Sequence, residues 1–239
     1  MEYSQRDMMR RLPKATHVER AEFLISMAAG KSVVHVGFVD TGYEVEQRLA
    51  GTWLHERLAK VAKSIVGVDV NSTGIESAKV AGYDAHCIDL SDPAADVSAL
   101  AGHHDVIIAG EVIEHVENIG AFVRGIARIA NNDTRIVFTT PNSSAMVQAI
   151  LAFGRREICH PDHVVGFTAA TLTGMLERCG LTVDSIATYS SKVRLDTSDG
   201  QGKVLALAGR LALFVERVMA RFISPYVASG LIVVAVVQA

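Results

Sequence analysis

The chain has 239 residues, of which 49% are hydrophobic, so it can bury a sizeable core and is not expected to be disordered. Its 23 basic and 26 acidic residues give a net charge of −3 without a run of like charge, which argues against a nucleic-acid binder that uses a basic face. Three cysteines without CxxC spacing, no apolar signal core and no apolar window of transmembrane length predict a cytoplasmic protein.

Short, apolar, β-branched runs alternate with helical patterns in the first part of the chain. The runs cover residues 32–38, 64–70, 85–90, 104–110 and 135–140. The helical patterns lie near residues 43–62, 73–82, 92–101 and 117–130. Nearly continuous apolar runs are typical of parallel strands that are covered on both faces. Strand then helix, repeated, predicts right-handed crossovers and an α/β fold with a doubly wound, mostly parallel sheet.

The second part of the chain completes the predicted sheet. Helices are expected near residues 143–153 and 168–179, and strands at 181–190 and 230–237. The count is then seven strands. Because no repeat or long linker interrupts the pattern, we expect one domain over residues 1–239, with a helical insertion or lid at 191–229.

The segment 203–223, "KVLALAGRLALFVERVMARFI", is unusually apolar for its position between the last two strands. We expect a helical pair that packs on the body of the protein or on a second subunit, which would make a homodimer. The alternatives are a peripheral contact with a membrane surface and a lid over the acceptor.

Polar residues and glycines follow several of the predicted strands. In a doubly wound sheet, ligands bind at the carboxyl ends of the strands, near the point where the strand order reverses. The first strand runs into "GFVDTG" (37–42), whose glycines let a backbone approach a ligand closely. Asp69 ends the second strand, where an acid can accept hydrogen bonds from ribose hydroxyls, and Asp89 ends the third, where it can accept from an exocyclic amine.

Across residues 30–190 this arrangement resembles the class I S-adenosylmethionine-dependent methyltransferases, which have a Rossmann-like fold. "FTTPN" (138–142) and "GFTAATLTGMLERCGLTV" (166–183) are similar to motifs of the same family. The resemblance implies S-adenosylmethionine as the cofactor, with the glycine-rich loop at its methionine end, Asp69 at the ribose and Asp89 at adenine. It implies cofactor contacts by Gly37, Asp40, Gly42, Asp69, Val70, Asp89, Leu90 and Gly110.

The first loop departs from the family pattern. Where the family has a motif like DxGxGxG, this chain has "HVGFVDTG", so His35 replaces the acid and the central glycine is missing. A nicotinamide-dependent enzyme is the rival interpretation, because it also needs a glycine-rich loop and a second-strand acid. The absence of GxGxxG, together with "EVIEH" and "TTPN", favours the methyltransferase.

Two acids and a histidine in "GEVIEHVEN" (110–118) directly follow the fourth predicted strand. On one helical turn, Glu111, Glu114 and His115 would share a face. An aliphatic hydroxyl is a poor nucleophile at neutral pH, and it needs a general base or a metal that lowers its pKa. Downstream, "CHPDHVVGF" (159–167) supplies further imidazoles, among them His163. These residue types therefore predict activation of a hydroxyl acceptor, with Glu111, His115 and His163 in catalytic roles.

The combination of "EVIEH", "TPN" and "HxDH" resembles the small-RNA 3′-terminal 2′-O-methyltransferases, in which two Glu and two His bind magnesium. The matching positions are Glu111, Glu114, His115 and His163, and the resemblance implies Mg²⁺ or another divalent cation there. "EVIEHV" is also similar to the ubiquinone-biosynthesis O-methyltransferases, in which a metal is less regular. Each side chain also has a structural alternative, such as capping a turn, pairing with a basic residue, or ordering a loop.

The expected function is O-methylation of a hydroxyl on a small molecule, with a saccharide as one acceptor class. One alternative is methylation of the 3′-terminal ribose of RNA. The only basic residues expected near the acceptor are Arg155, Arg156, Lys192 and Arg194, so nucleic acid is not the expected partner. The other alternative is a non-catalytic module that binds the cofactor or a partner without turnover.

Overall fold

A computed structural model describes residues 11–40, 44–191 and 200–238, without the side chains of 44, 45, 48 and 200–209. Its centre is one sheet of eight strands. The strands are β1 (Ala15–His17), β2 (Ser32–Val36), β3 (Ser64–Asp69), β4 (Ala85–Cys87), β5 (Val106–Gly110), β6 (Arg135–Pro141), β7 (Leu181–Tyr189) and β8 (Gly230–Val237).

Helices connect most of these strands. They are α1 (Arg20–Ala28), α2 (Glu44–Leu49), α3 (Leu54–Ala59), α4 (Ser72–Val80), α5 (Ile119–Arg128), α6 (Met146–Phe153), α7 (Ala169–Arg178) and α8 (Gly200–Phe222). Single 3₁₀ turns cover Ser98–Leu100, Ile113–His115 and Pro225–Val227. Side-chain caps begin several helices: Asn71 accepts from the N–H of Gly74 at α4, and Asn118 accepts from that of Ala121 at α5.

The strand order is β1-β7-β8-β6-β5-β2-β3-β4. Strand β8 is antiparallel to β6 and β7, and the other neighbouring pairs are parallel. From β2 the chain builds outward to β3 and β4, then returns to place β5 on the other side of β2. The strand order therefore reverses between β2 and β5, which is where a doubly wound sheet binds its ligand.

Both faces of the sheet are covered. On one face, α5 and α7 bury Phe122, Ile126 and Leu172 against β5, β6 and β8. On the other face, α1 and α3 bury Leu24 and Leu58 against alternate residues of the same strands. The near-continuous apolar character of the central strands follows from this double coverage.

The α/β fold and the mostly parallel sheet confirm the expectation from the sequence, but the strand count differs. The eighth strand is β1, which pairs in parallel with β7 at the edge of the sheet. The apolar segment 203–223 forms most of one helix, α8, so the predicted helical pair is wrong. Among the described residues, no helix is both long and apolar enough to cross a bilayer.

Candidate functional site

Four parallel strand ends meet at one edge of the sheet. Gly37 directly follows β2, Asp69 ends β3, Gly110 ends β5 and Pro141 ends β6. Because β6, β5, β2 and β3 are consecutive neighbours, these ends lie side by side across the point where the strand order reverses. The structure thus brings the predicted cofactor loop and the predicted Glu/His stretch to the same edge.

The first loop is built around Gly37. Its φ is +67°, and a Cβ at this position would lie 2.1 Å from Cγ2 of Val112. The N–H of Gly37 donates to the carbonyl of Val68 at 2.8 Å. Only glycine combines this backbone conformation with such a close approach. Asp40 follows in the same loop, whereas Gly42 lies outside the described residues.

Asp69 is held in a fixed orientation at the end of β3. Its Oδ2 accepts from the N–H of Val39 at 3.0 Å, and its Oδ1 accepts from the N–H of Asn71 at 2.9 Å. Each carboxylate oxygen has a second lone pair, so Asp69 can still accept from a ligand. The neighbouring Val70 side chain is 65% exposed. The loop after β2 and the turn after β3 are therefore joined through one carboxylate.

Asp89 and Leu90 follow β4, the neighbour of β3. Oδ1 of Asp89 accepts from the N–H of Ser91 at 2.8 Å and from its hydroxyl at 2.6 Å, which closes a local turn. The Leu90 side chain is buried in the core, and its carbonyl packs against Gly125. A ligand contact by Leu90 would therefore have to come from its backbone, whereas the Asp89 carboxylate is exposed.

A network that the sequence did not suggest surrounds Glu111. Oε1 of Glu111 accepts from the hydroxyls of Tyr189 and Thr139, the latter at 3.1 Å. Arg20 of α1 donates through Nε to Oγ1 of Thr139 at 2.8 Å, and this Nε is 3.9 Å from Oε1 of Glu111. The guanidinium also lies beside Gly110, where a Cβ would be 2.7 Å from Nη2 of Arg20.

Glu111, Glu114 and His115 do not share one helical turn, so that expectation is wrong. Glu111 has a φ of +60°, which is rare for a residue with a side chain, and a 3₁₀ turn begins only at Ile113. The N–H of Glu111 donates to the carbonyl of Thr139 at 2.8 Å, which fixes this conformation. The Glu111 carboxylate is thereby bound to Thr139 and Tyr189, and it is not part of the group that Glu114 forms.

Glu114 is a buried acid, and the nearby Thr140 hydroxyl and Arg20 charge do not offset the cost of its burial. Its side chain is 1% exposed, and neither carboxylate oxygen has a hydrogen-bond partner among the described residues. Burial, and next the negative charge of Glu111, raise the pKa of Glu114 from 4.5 to about 8. A buried carboxylate in this state needs a proton or a cation. Glu114 is therefore uncharged at neutral pH unless a cation binds beside it.

Two imidazoles, those of His115 and His163, lie next to Glu114, and that of His160 lies beside them. The ring centroid of His115 is 4.6 Å from that of His163 and 6.1 Å from that of His160. Nδ1 of His115 is 3.2 Å from the carbonyl oxygen of Asp162, and the Glu114 carbonyl accepts from the N–H of Val164 at 2.9 Å. These contacts join the loop after α6 to the turn after β5.

Glu114, His115 and His163 each offer one ligand atom, and these atoms lie within 4.8 Å of one another. Burial, and then the positive charges of His115 and His160, lower the pKa of His163, which favours the neutral imidazole that binds metals and accepts protons. One carboxylate and two imidazoles are a donor set for a first-row transition ion such as Mn²⁺, Fe²⁺ or Zn²⁺. Magnesium prefers oxygen ligands, so this donor set fits it less well.

A cavity of about 600 Å³ lies beside α6. Ser143, Ser144 and Gln148 line it together with Arg155 and Arg156, and no residue of the Glu114 group does. Gln148 closes one side, because its amide donates to the carbonyl of Ile158 at 2.7 Å and accepts from the N–H of Ile158 at 3.2 Å.

The sequence model of a family described as a methyltransferase domain matches residues 50–186. A ubiquinone biosynthesis O-methyltransferase of Methylobacterium nodulans is 29% identical over 147 residues, which are 56% of this chain and 57% of the relative. One of the same description from Rhodopseudomonas palustris is 30% identical over 90 residues, 37% of this chain and 36% of the relative. The chain thus spans between about a third and just over half of these relatives.

Among solved structures, a SAM-dependent methyltransferase from Archaeoglobus fulgidus superimposes with a TM-score of 0.53. The match covers 91% of each chain at 15% sequence identity. At this identity the similarity concerns the fold.

Proposed function

Because the chain belongs to the methyltransferase domain family, we propose that it transfers a methyl group from S-adenosylmethionine to a hydroxyl group of a small molecule. One observation supports this most strongly. The buried carboxylate of Glu114 and the imidazole of His115 follow β5, next to the strand whose end carries Gly37, and the loop after α6 brings His163 to them. A group that can activate a hydroxyl is therefore adjacent to the loop proposed to hold the cofactor.

The cofactor is proposed to lie across the ends of β2, β3 and β5. Asp69 would accept from the ribose hydroxyls, since Val39 and Asn71 already orient both of its oxygens. Asp89 would accept from the adenine amine beside it, with Leu90 contributing through its backbone. Gly37 and Gly110 would contact the ligand through their backbone, and Asp40, Gly42 and Val70 complete the predicted contacts.

Arg20 adds a charge to this site. Its guanidinium lies beside Gly110 at the end of β5, and its Nε is bound to Thr139. The remaining N–H groups of an arginine form a planar fork that matches a carboxylate. We therefore include the carboxylate of the cofactor's methionine part as the partner of Arg20.

The acceptor hydroxyl must lose its proton when the methyl group is transferred. We assign His163 to this task, because its lowered pKa favours the neutral ring that can accept a proton. His115 lies against it and has Nδ1 at the Asp162 carbonyl, so its orientation is fixed. In-line transfer also requires that the hydroxyl and the methyl carbon be held in contact, which the adjacency of β2 and β5 permits.

A divalent ion is the alternative to His163 acting as a base in this proposal. Glu114, His115 and His163 would hold it, and the ion would lower the pKa of a hydroxyl bound to it. The buried, unpaired Glu114 fits this role, because a cation would supply the balance that its surroundings lack. Glu111 could join as a ligand only by giving up its bonds to Tyr189 and Thr139, so we place it next to the ion rather than on it.

Calorimetry with S-adenosylhomocysteine tests the cofactor site. Asp69→Ala is expected to weaken binding by about tenfold or more, because charge-assisted hydrogen bonds contribute about 1.5–3 kcal/mol each. Asp133→Ala removes an exposed carboxylate ahead of β6, at the other end of that strand, and should leave the affinity unchanged. No binding by the native chain, or equal binding by Asp69→Ala, would overturn the cofactor assignment.

Transfer of a labelled methyl group tests the acceptor. Saccharides, other small hydroxyl compounds and a short RNA are each incubated with the protein and S-adenosylmethionine, first with EDTA and then with Mg²⁺, Mn²⁺ or Zn²⁺ restored. Label in a small hydroxyl compound supports the proposal, and a saccharide is the first class to try. Label at the 3′ end of RNA would replace it with the RNA alternative, and cofactor binding without any transfer would favour the binding module.

A further inference from the structure

Helix α8 turns a row of large apolar side chains toward solvent. At about 100° per residue, five of them fall within an arc of about 100°. Their exposed fractions run from 40% to 77%, and they are Leu211, Phe214, Val215, Val218 and Phe222. On the inner side of the helix, Glu216 and Ala220 are buried. One side of the described part of α8 therefore packs against the protein, and another side exposes apolar side chains to solvent.

Helix α6 extends this apolar surface. It has no buried residue, and Ile150 and Phe153 are 57% and 94% exposed. Helices α6 and α8 contact each other. We call the outward sides of these two helices the apolar face. Two helices that contact each other and both expose large apolar side chains indicate an interaction site more strongly than single exposed apolar residues do.

The charges around the apolar face have one sign on α8. Arg210, Arg217 and Arg221 are exposed there and form a row along one border of the apolar stripe. The acid in that stretch, Glu216, is buried, and its Oε1 accepts from the N–H and the hydroxyl of Ser229 at 3.1 and 2.9 Å. Arg155 and Arg156 come just after α6 in the chain and are both exposed. Glu157, which follows them, is an exposed acid.

We infer that the apolar face docks on the surface of an anionic lipid bilayer. An amphipathic helix with large apolar side chains on one side and arginines at the border lies in the plane of such a surface, with its apolar side among the acyl chains. The arginines meet the lipid phosphates, which attract basic residues near the membrane. A second copy of the chain is a poorer occupant, because antiparallel pairing of two α8 helices across a two-fold axis would bring the arginine rows of the two copies together.

The position of the face gives the docking a direction. Helix α6 follows the carboxyl end of β6, and α8 lies between the end of β7 and the start of β8. Because β8 is antiparallel to β7, both of these points lie at the edge of the sheet that carries Asp69 and Glu114. A protein docked in this way turns the candidate site toward the bilayer. The docking itself is independent of whether the site transfers methyl groups.

Flotation of the full chain with lipid vesicles tests the inference. We expect it to bind vesicles of phosphatidylcholine mixed with phosphatidylglycerol and to remain free with phosphatidylcholine alone. The double variant Phe214→Ser/Phe222→Ser should reduce the bound fraction by about tenfold or more. Arg217→Ala/Arg221→Ala should reduce it by about tenfold. At high salt the difference between the arginine variant and the native chain should become smaller, because salt screens the attraction to the lipid phosphates.

A matched control tests whether vesicle binding depends on the apolar face or on any exposed apolar residue. Val80 is 90% exposed on α4, so Val80→Ser should float like the native chain. All these positions are exposed, and circular dichroism should show unchanged folding. Equal flotation of the serine and native proteins would overturn the inference. So would a dimer in light scattering that Phe214→Ser/Phe222→Ser converts to a monomer, since a second copy would then occupy the face.

Discussion

The hydroxyl of Tyr189, at the end of β7, donates a hydrogen bond to Oε1 of Glu111, directly after β5. Burial, and next the charge of Glu111, raise the pKa of Tyr189 well above its usual value, so the phenol remains a donor. Thr139 donates to the same oxygen. Two donors therefore direct the Glu111 carboxylate to the side of the sheet where Arg20 lies.

Tyr189→Phe removes one of these donors. We expect the free energy of unfolding to fall by about 1.5–3 kcal/mol, because the lost bond is charge-assisted and the ring is buried. Urea unfolding measures the change. Tyr226→Phe is the matched control, since the Tyr226 hydroxyl donates to a neutral carbonyl, that of Pro13, and its loss should cost about 1 kcal/mol or less. Equal losses in the two variants would show that Glu111 does not depend on Tyr189.

The parallel core of the sheet was predictable because each central strand is a nearly continuous apolar run. Strand β1 was not, since its three residues carry no periodic pattern and their pairing depends on β7, as between His17 and Thr188. The helix expected near 92–101 is reduced to the 3₁₀ turn Ser98–Leu100. Local turns such as that of Asp92, whose Oδ1 accepts from the N–H of Ala94, compete with helix there.

The composition of the site was easier to predict than its geometry. Residue types alone indicated Glu114, His115 and His163, which the structure brings together. Helical spacing predicted that Glu111 would share a face with Glu114 and His115. This was wrong, because the positive φ of Glu111 turns its side chain toward Thr139 and Tyr189. Arg20 and Tyr189 come from distant parts of the chain, and nothing near them in the sequence links them to the site. Only the closing of the sheet brings them to Glu111.

Gly37→Ala tests how closely the first loop approaches the turn after β5. The added Cβ would meet Cγ2 of Val112, so we expect a loss of more than about 2 kcal/mol in unfolding free energy and weaker binding of S-adenosylhomocysteine. Gly30→Ala isolates the backbone effect, because Gly30 has a φ of +70° and open space around it. Its loss should be about 1 kcal/mol.

The double variant Gly37→Ala/Val112→Ala completes this comparison. Removing the Val112 methyl groups should recover part of the stability that Gly37→Ala loses, as measured by urea unfolding. A Gly37→Ala protein as stable as Gly30→Ala would show that the loop moves freely away from Val112.

His35 predicts a loss of stability in acid. It is buried with Nδ1 at 3.2 Å from Nδ1 of His55, and burial, then His55 and Arg20, lower its pKa well below 6.5. The unfolded chain takes up a proton at His35 near its usual pKa while the folded chain does not. The free energy of unfolding therefore falls as the pH drops below about 6.5, by up to about 1.4 kcal/mol per unit.

Urea unfolding above and below that pH measures the effect. In His35→Asn the amide can still hydrogen-bond to His55. The fall in the free energy of unfolding on acidification should be smaller than in the native chain by about 1 kcal/mol. Because His17 and His163 also have lowered pKa values, only the difference between variant and native protein is assigned to His35. His103→Asn, at an exposed position, controls for the chemical change itself. An unchanged acid response in His35→Asn would contradict the prediction.

Glu114→Gln is expected to stabilise the protein when a chelator is present. With its pKa raised to about 8, Glu114 is protonated in the folded chain at neutral pH, whereas in the unfolded chain it ionises near 4.5. The unfolded state therefore binds fewer protons between these values, and stability falls as the pH rises through that window, by about 3 kcal/mol at pH 7. A neutral amide removes this term, so the gain should be small near pH 5, grow through pH 7 and level off above about pH 8.

Without metal Glu114→Gln should be the more stable protein, and added metal should make the native chain the more stable one. If Glu114, His115 and His163 hold a divalent ion, Mn²⁺ or Zn²⁺ in excess raises the melting temperature of the native chain, because the ion binds only the folded state. Glu114→Gln lacks the anionic ligand and should not respond. Glu177→Gln, an exposed change on α7, should respond like the native chain. A Glu114→Gln protein that metal stabilises as much as the native chain would show that Glu114 does not bind the ion.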